Sequence, residues 1–152
     1  MKIKGTAILL LFSSALLLCA AQGSPSADAS ASRSVWDGVF NEEQSKRGEA
    51  LYKKECSNCH GDTLKGRGEA PALAGGTFIS NWNGLPLGDL FERIRRTMPQ
   101  DDPSRVTRQE KVDVLAYLLF FNKFPAGKAE LQRQPELLKQ IRFEAGKPDA
   151  KQ

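Results

Sequence analysis

The chain has 152 residues, with 22 Lys and Arg against 18 Asp and Glu, one histidine, three cysteines and two methionines. That length suits one domain with an ordinary core. A net charge of +4 with no Lys/Arg stripe interleaved with aromatics argues against nucleic acid as partner, and one histidine excludes a centre that takes two imidazoles from a single chain.

Residues 1–23 have the pattern of a secretory signal: Lys2 and Lys4, an apolar run from Ala7 to Ala21, then small residues that suit cleavage after Ala21 or Gly23. The run is short for a membrane span, so no stable insertion is expected after cleavage. Leu18 before Cys19, in place of a small residue, argues against a lipid anchor. Export predicts a periplasmic protein whose two remaining cysteines, Cys56 and Cys59, belong to one motif. Residues 24–34 are small and polar and predict a flexible leader.

Val35, Val39 and Phe40, with Trp36, precede the first helix start. They serve either as a packing segment or, through Trp36 or Phe40, as cover for a bound group. Asn41 is a good N-cap, and Gln44 three residues later completes a capping-box pattern. Gly48, Leu51, Tyr52 and Glu55 share one helical face. A mid-helix glycine costs about 1 kcal/mol against alanine, which is reasonable where a second helix crosses closely.

This helix runs into Cys56-Ser57-Asn58-Cys59-His60. Two cysteines separated by two residues and followed by histidine form the attachment signature of c-type haem. Each thiol adds across one vinyl group, and the adjacent histidine is placed to bind iron as the proximal ligand. A closed zinc site wants four ligands, and a thioredoxin-like pair wants a strand before it and a helix after it. The chain offers neither, so one covalent haem c is the expected cofactor.

Residues 61–84 are glycine-rich and predict a loop. Within it, a carbonyl of Pro71-Ala72-Leu73 is a candidate acceptor for the His60 Nδ1–H. Phe78 and Trp82 are candidates for packing on the cofactor, Trp82 also for a bond to a propionate. A second helix is expected over 86–97, with Leu87, Leu90, Phe91 and Ile94 on its apolar stripe. It stops at Met98-Pro99, and Arg93, Arg95 and Arg96 form a solvated face. Thr107 and Glu110 make a capping box for a third helix, apolar on a wide face through Val112, Val114, Leu115, Tyr117, Leu118 and Leu119. In 128–152 a short helix is expected after Pro135. No strand-like alternation occurs, so the fold class is all-α.

Met98 is the only methionine after the initiator and lies 98 − 60 = 38 residues beyond the histidine. Its thioether is the candidate second axial ligand, against a plain role as gap-filling core. With two protein ligands the iron passes electrons. An open sixth position would instead suit a haem enzyme or gas sensor.

With these residues in place, the chain resembles the class I c-type cytochromes over about residues 35–127. Gly48 and Tyr52 match that family's N-terminal helix, and Val114 and Tyr117 its C-terminal helix, which crosses the first. Pro71 matches the proline whose carbonyl meets the proximal histidine, and Met98-Pro99 the axial methionine turn. The resemblance implies a cytochrome c fold of three main helices around the haem, a non-enzymatic electron carrier, and redox proteins as partners. Val35-Trp36-Asp37-Gly38-Val39 and Phe124-Pro125-Ala126-Gly127-Lys128 further resemble mono-haem cytochromes found with bacterial quinoprotein (pyrroloquinoline quinone) dehydrogenases. That likeness implies a dehydrogenase as donor, with a terminal oxidase as a suitable acceptor. Residues 128–152 then form a C-terminal extension, a candidate docking strap if the protein is a fixed subunit of such a complex.

Overall fold

The computed structural model describes residues 33–148, so the signal segment and residues 24–32 of the leader lie outside it. Helices dominate: α1 (Glu42–Glu55), α2 (Ser57–His60), α3 (Gly76–Trp82), α4 (Leu87–Thr97), α5 (Arg108–Phe121) and α6 (Pro135–Leu138). Two short strands, β1 (Arg33–Ser34) and β2 (Ile141–Arg142), pair in parallel, Arg33 opposite Ile141.

The architecture turns on α1 crossing α5. At Gly48 an added Cβ would land on the Asp113 carbonyl and stand 2.9 Å from the Tyr117 Cβ. The absence of a side chain is what lets the two backbones approach, and the offset Tyr52 and Tyr117 rings, 5.4 Å apart, fill the space beside the contact. Helix α5 starts as its sequence demands. Thr107 accepts from the Glu110 N–H while the Glu110 carboxylate accepts from the Thr107 N–H.

Only half of the corresponding box forms at α1. Asn41 accepts from the Gln44 N–H at 2.9 Å, but the Gln44 side chain turns inward. It donates to Leu131 O and accepts from Leu131 N, at 3.0 and 2.7 Å, and donates to Asp113. Gln44 is fully buried, and these bonds satisfy it better than a solvent-facing cap would.

The stretch 61–84, expected as loop, contains α3. Its glycines cluster at the flanks, and between them Phe78, Ile79 and Trp82 put one apolar face against the core. Arg33 and Ser34 are ordered by β2, and Ser34 caps the 3₁₀ turn Val35–Asp37. Val35, Val39 and Phe40 are core, and Trp36 packs edge-on against Phe124 with ring centres 5.0 Å apart. The backbone at Gly38 (φ +63°) passes directly over Gly127, where a side chain on either would collide with the other's main chain. The segments 35–39 and 124–128 are thus one contact in space.

The C-terminal segment covers this chain's own core. Leu131, Leu138, Ile141 and Phe143 are buried. Phe143 exchanges main-chain bonds with Gly84 and Leu85, and its ring meets those of Phe78 and Phe124.

Gly48→Val forces the α1–α5 crossing apart and is expected to cost about 1–3 kcal/mol or more, measured by denaturant unfolding. A variant as stable as wild type would mean that the crossing tolerates a side chain and does not set the fold.

A candidate haem-attachment site

Helix α1 ends by handing its C-cap to the motif. Cys56 N–H bonds Tyr52 O at 2.9 Å, and the turn α2 then closes with Cys59 N–H and His60 N–H both donating to Cys56 O. Residues three apart share a helical face, so the two sulfurs are carried on one side of a single rigid turn. Both thiols are free, Cys56 half-buried and Cys59 exposed. Burial, with the Glu55 carboxylate next, pushes the Cys56 thiol up to about 11, so it stays protonated at neutral pH.

His60 is 7 % exposed, and its Nδ1 lies 2.9 Å from Pro71 O. A carbonyl only accepts, so this bond assigns the proton to Nδ1 and leaves the Nε2 lone pair as the ligating one. Pro71 is held in turn by its loop. Gly66 N–H bonds His60 O, and Leu73 N–H bonds Leu64 O at 2.8 Å. Asn122, just past α5, donates to Leu73 O and accepts from Gly75 N–H, pinning the loop to the end of α5. The Tyr52 hydroxyl donates to Gly61 O at 2.7 Å and locks the motif's exit onto α1.

The apolar side chains around this turn are less buried than the core. Cys56, Leu73, Ala74 and Ile94 are half-buried, and Leu73 and Ile94 touch both core clusters. Leu90 is core, Phe78 is buried against Phe143, and Trp82 is half-buried beside it. Met98 is half-buried at the end of α4, its N–H bonded to Ile94 O at 3.0 Å. Among the described residues no cluster of His, Cys, Asp and Glu could hold a metal by itself. The donors brought together here, two free thiols on one turn and an imidazole with a fixed tautomer, therefore fit an iron that arrives in its own macrocycle. A separate open cleft of about 540 Å³, lined by Arg95, Arg96, Arg108 and Lys111, contains none of these groups.

Sequence reasoning missed Asn122, the Tyr52 hydroxyl and Lys111. Each donates to a main-chain carbonyl outside its own helix, a pairing that no local sequence pattern marks.

A helical domain with this turn and this histidine is a c-type cytochrome, whose haem c transfers electrons. The family described as "Cytochrome C oxidase, cbb3-type, subunit III" matches residues 43–118, half of the chain, and the chain belongs to it as a class I c-type cytochrome. No curated protein matches the sequence. Among solved structures it is similar to the sulfane dehydrogenase SoxCD from Paracoccus pantotrophus, with a TM-score of 0.51 and 21 % identity. The match covers 71 % of this chain and 61 % of that one, and at this identity it speaks for the fold alone.

Tyr52→Phe removes one of the two donors to the buried Gly61 carbonyl and leaves the Leu64 N–H at 3.1 Å. A loss of about 0.5–1.5 kcal/mol is expected in denaturant unfolding. No measurable change would mean that the motif's exit is held without this bond.

Proposed function

We propose that the protein is a periplasmic one-electron carrier with a single haem c, not an enzyme. Cys56 and Cys59 would hold it through thioethers, and His60 and Met98 would ligate its iron. The observation that carries this reading is the His60 ring, fixed through Nδ1 to Pro71 O beside two free thiols in one turn.

When bound, the haem supplies a reversible one-electron iron couple. The chain's own residues do the rest. Pro71 O holds the proton on Nδ1 and strengthens the imidazole as a donor. Met98 contributes a neutral, soft sulfur that favours the ferrous state and raises the potential. Leu73, Ile94 and Trp82 exclude water, and the Trp82 N–H is the candidate donor to a propionate. No helix among the described residues is long and apolar enough to cross a membrane. Those partners are redox proteins: a quinoprotein dehydrogenase as donor, suggested by the segments at 35–39 and 124–128, and a terminal oxidase as acceptor.

Mass spectrometry of the mature protein should show one haem that survives denaturation and acid–acetone extraction. Extractable haem, or none, would overturn the reading. Met98→Ala should lower the reduction potential and abolish the weak sulfur-to-iron band at the red end of the ferric spectrum, and ferrous wild type should bind carbon monoxide poorly. An unchanged band and potential, with ready carbon monoxide binding, would make Met98 core filling and the protein a gas-binding haem protein.

A further inference from the structure

Lys111 is 3 % exposed, on the first turn of α5, whose other buried side chains are apolar except for Asp113. Burying an ammonium is costly unless it is fully bonded, and the carboxylates nearby are committed elsewhere. Glu92 is taken by Arg95, Glu110 caps Thr107, and Asp102 accepts from Ser104. The Lys111 Nζ instead donates to two main-chain carbonyls, Arg95 O at 2.9 Å and Pro103 O at 2.5 Å. These carbonyls lie on either side of Met98. Arg95 O belongs to the last turn of α4, where the helix dipole favours a cation. A second clamp grips the same segment from α1. Arg105 donates to both Asp101 carboxylate oxygens, at 2.8 and 3.1 Å, and through Nε to Glu55 at 2.8 Å. Glu55 is the residue before Cys56.

We propose that Lys111 and Arg105 are positioning residues for Met98, tying the segment that carries its sulfur to α5 and to the helix that carries the haem-attachment turn. This rests on Met98 being an axial ligand. Neither residue touches the iron. Each restricts the excursions by which Met98 would leave it, so each is read out by how easily an external ligand takes its place. The apparent affinity of such a competitor scales with the fraction of molecules whose Met98 has departed.

The test is imidazole titration of the ferric holoprotein, following the far-red band, together with amide hydrogen exchange of residues 98–106. Lys111→Met keeps the length and removes the donors. It should raise the imidazole association constant by about tenfold or more and speed exchange in 98–106. Lys111→Arg should recover most of the wild-type value. Arg105→Gln, at an exposed site, should shift it in the same direction by less. Leu138→Ala, which opens the core away from this segment, controls for lost stability and should leave the constant near wild type. If Lys111→Met does not load haem, Arg105→Gln decides. Wild-type affinity in the loaded Lys111 and Arg105 variants, or an equal rise in Leu138→Ala, overturns the positioning role. A wild-type protein with no far-red band refutes Met98 ligation itself, a different failure.

Discussion

One close approach governs this molecule: the backbone of α1 resting on that of α5 at Gly48. Everything the site needs is registered from that point. One turn toward the C-terminus, α1 delivers Tyr52, whose hydroxyl donates to Gly61 O, and then the turn that carries Cys56, Cys59 and His60. Toward its own C-terminus, α5 delivers Tyr117 against Tyr52 and then Asn122, which pins the loop bearing Pro71. A side chain at 48 would separate the two helices and with them the histidine from the carbonyl that orients it.

The crossing is sealed by a buried polar network. Asp113 is 4 % exposed and accepts from Gln44, Arg47 and Gln109. Gln44 continues the network by bonding both main-chain groups of Leu131. A buried carboxylate without these donors would be costly, which makes the arrangement selective: it closes only when α1, α5 and the chain around residue 131 are all in register. The C-terminal segment lies beyond the matched residues 43–118, yet its backbone completes the network and its Phe143 covers the start of α4.

The main helices and the bond from His60 to Pro71 O were legible because they are governed by local chemistry: N-caps at 41 and 107, apolar stripes, a proline after Met98, and a histidine next to a Cys-x-x-Cys pair. Gly48 was legible because a glycine inside a helix is a cost unless another backbone has to come close. What the sequence concealed is of another kind. Helix α3 was hidden by its flanking glycines, which dilute its short apolar face. Gln44 has the right type and offset for a capping box, and only the position of Leu131 shows that burial outcompetes the cap. Leu131 stands alone in a polar stretch, so no periodicity marks it as core. Two-residue strands leave no alternation to detect, and the 33–34 pairing depends wholly on where 141–142 returns.

Lys111 and Asp113 show how one turn of α5 serves two neighbours. At 3.6 residues per turn, positions two apart point about 200° away from each other around the axis. Both side chains are buried and oppositely charged, yet they do not pair. Asp113 faces α1 and the C-terminal segment, while Lys111 faces the loop after α4 and holds carbonyls on either side of Met98. Burial, with the Arg95 charge beside it, pulls the Lys111 ammonium below its ordinary pKa, a cost that an apolar residue would avoid. An apolar residue would, however, leave two main-chain carbonyls without a donor. A long cation is the side chain that can cross that gap, so the same turn that locks the helices together also reaches the segment carrying the candidate sulfur ligand.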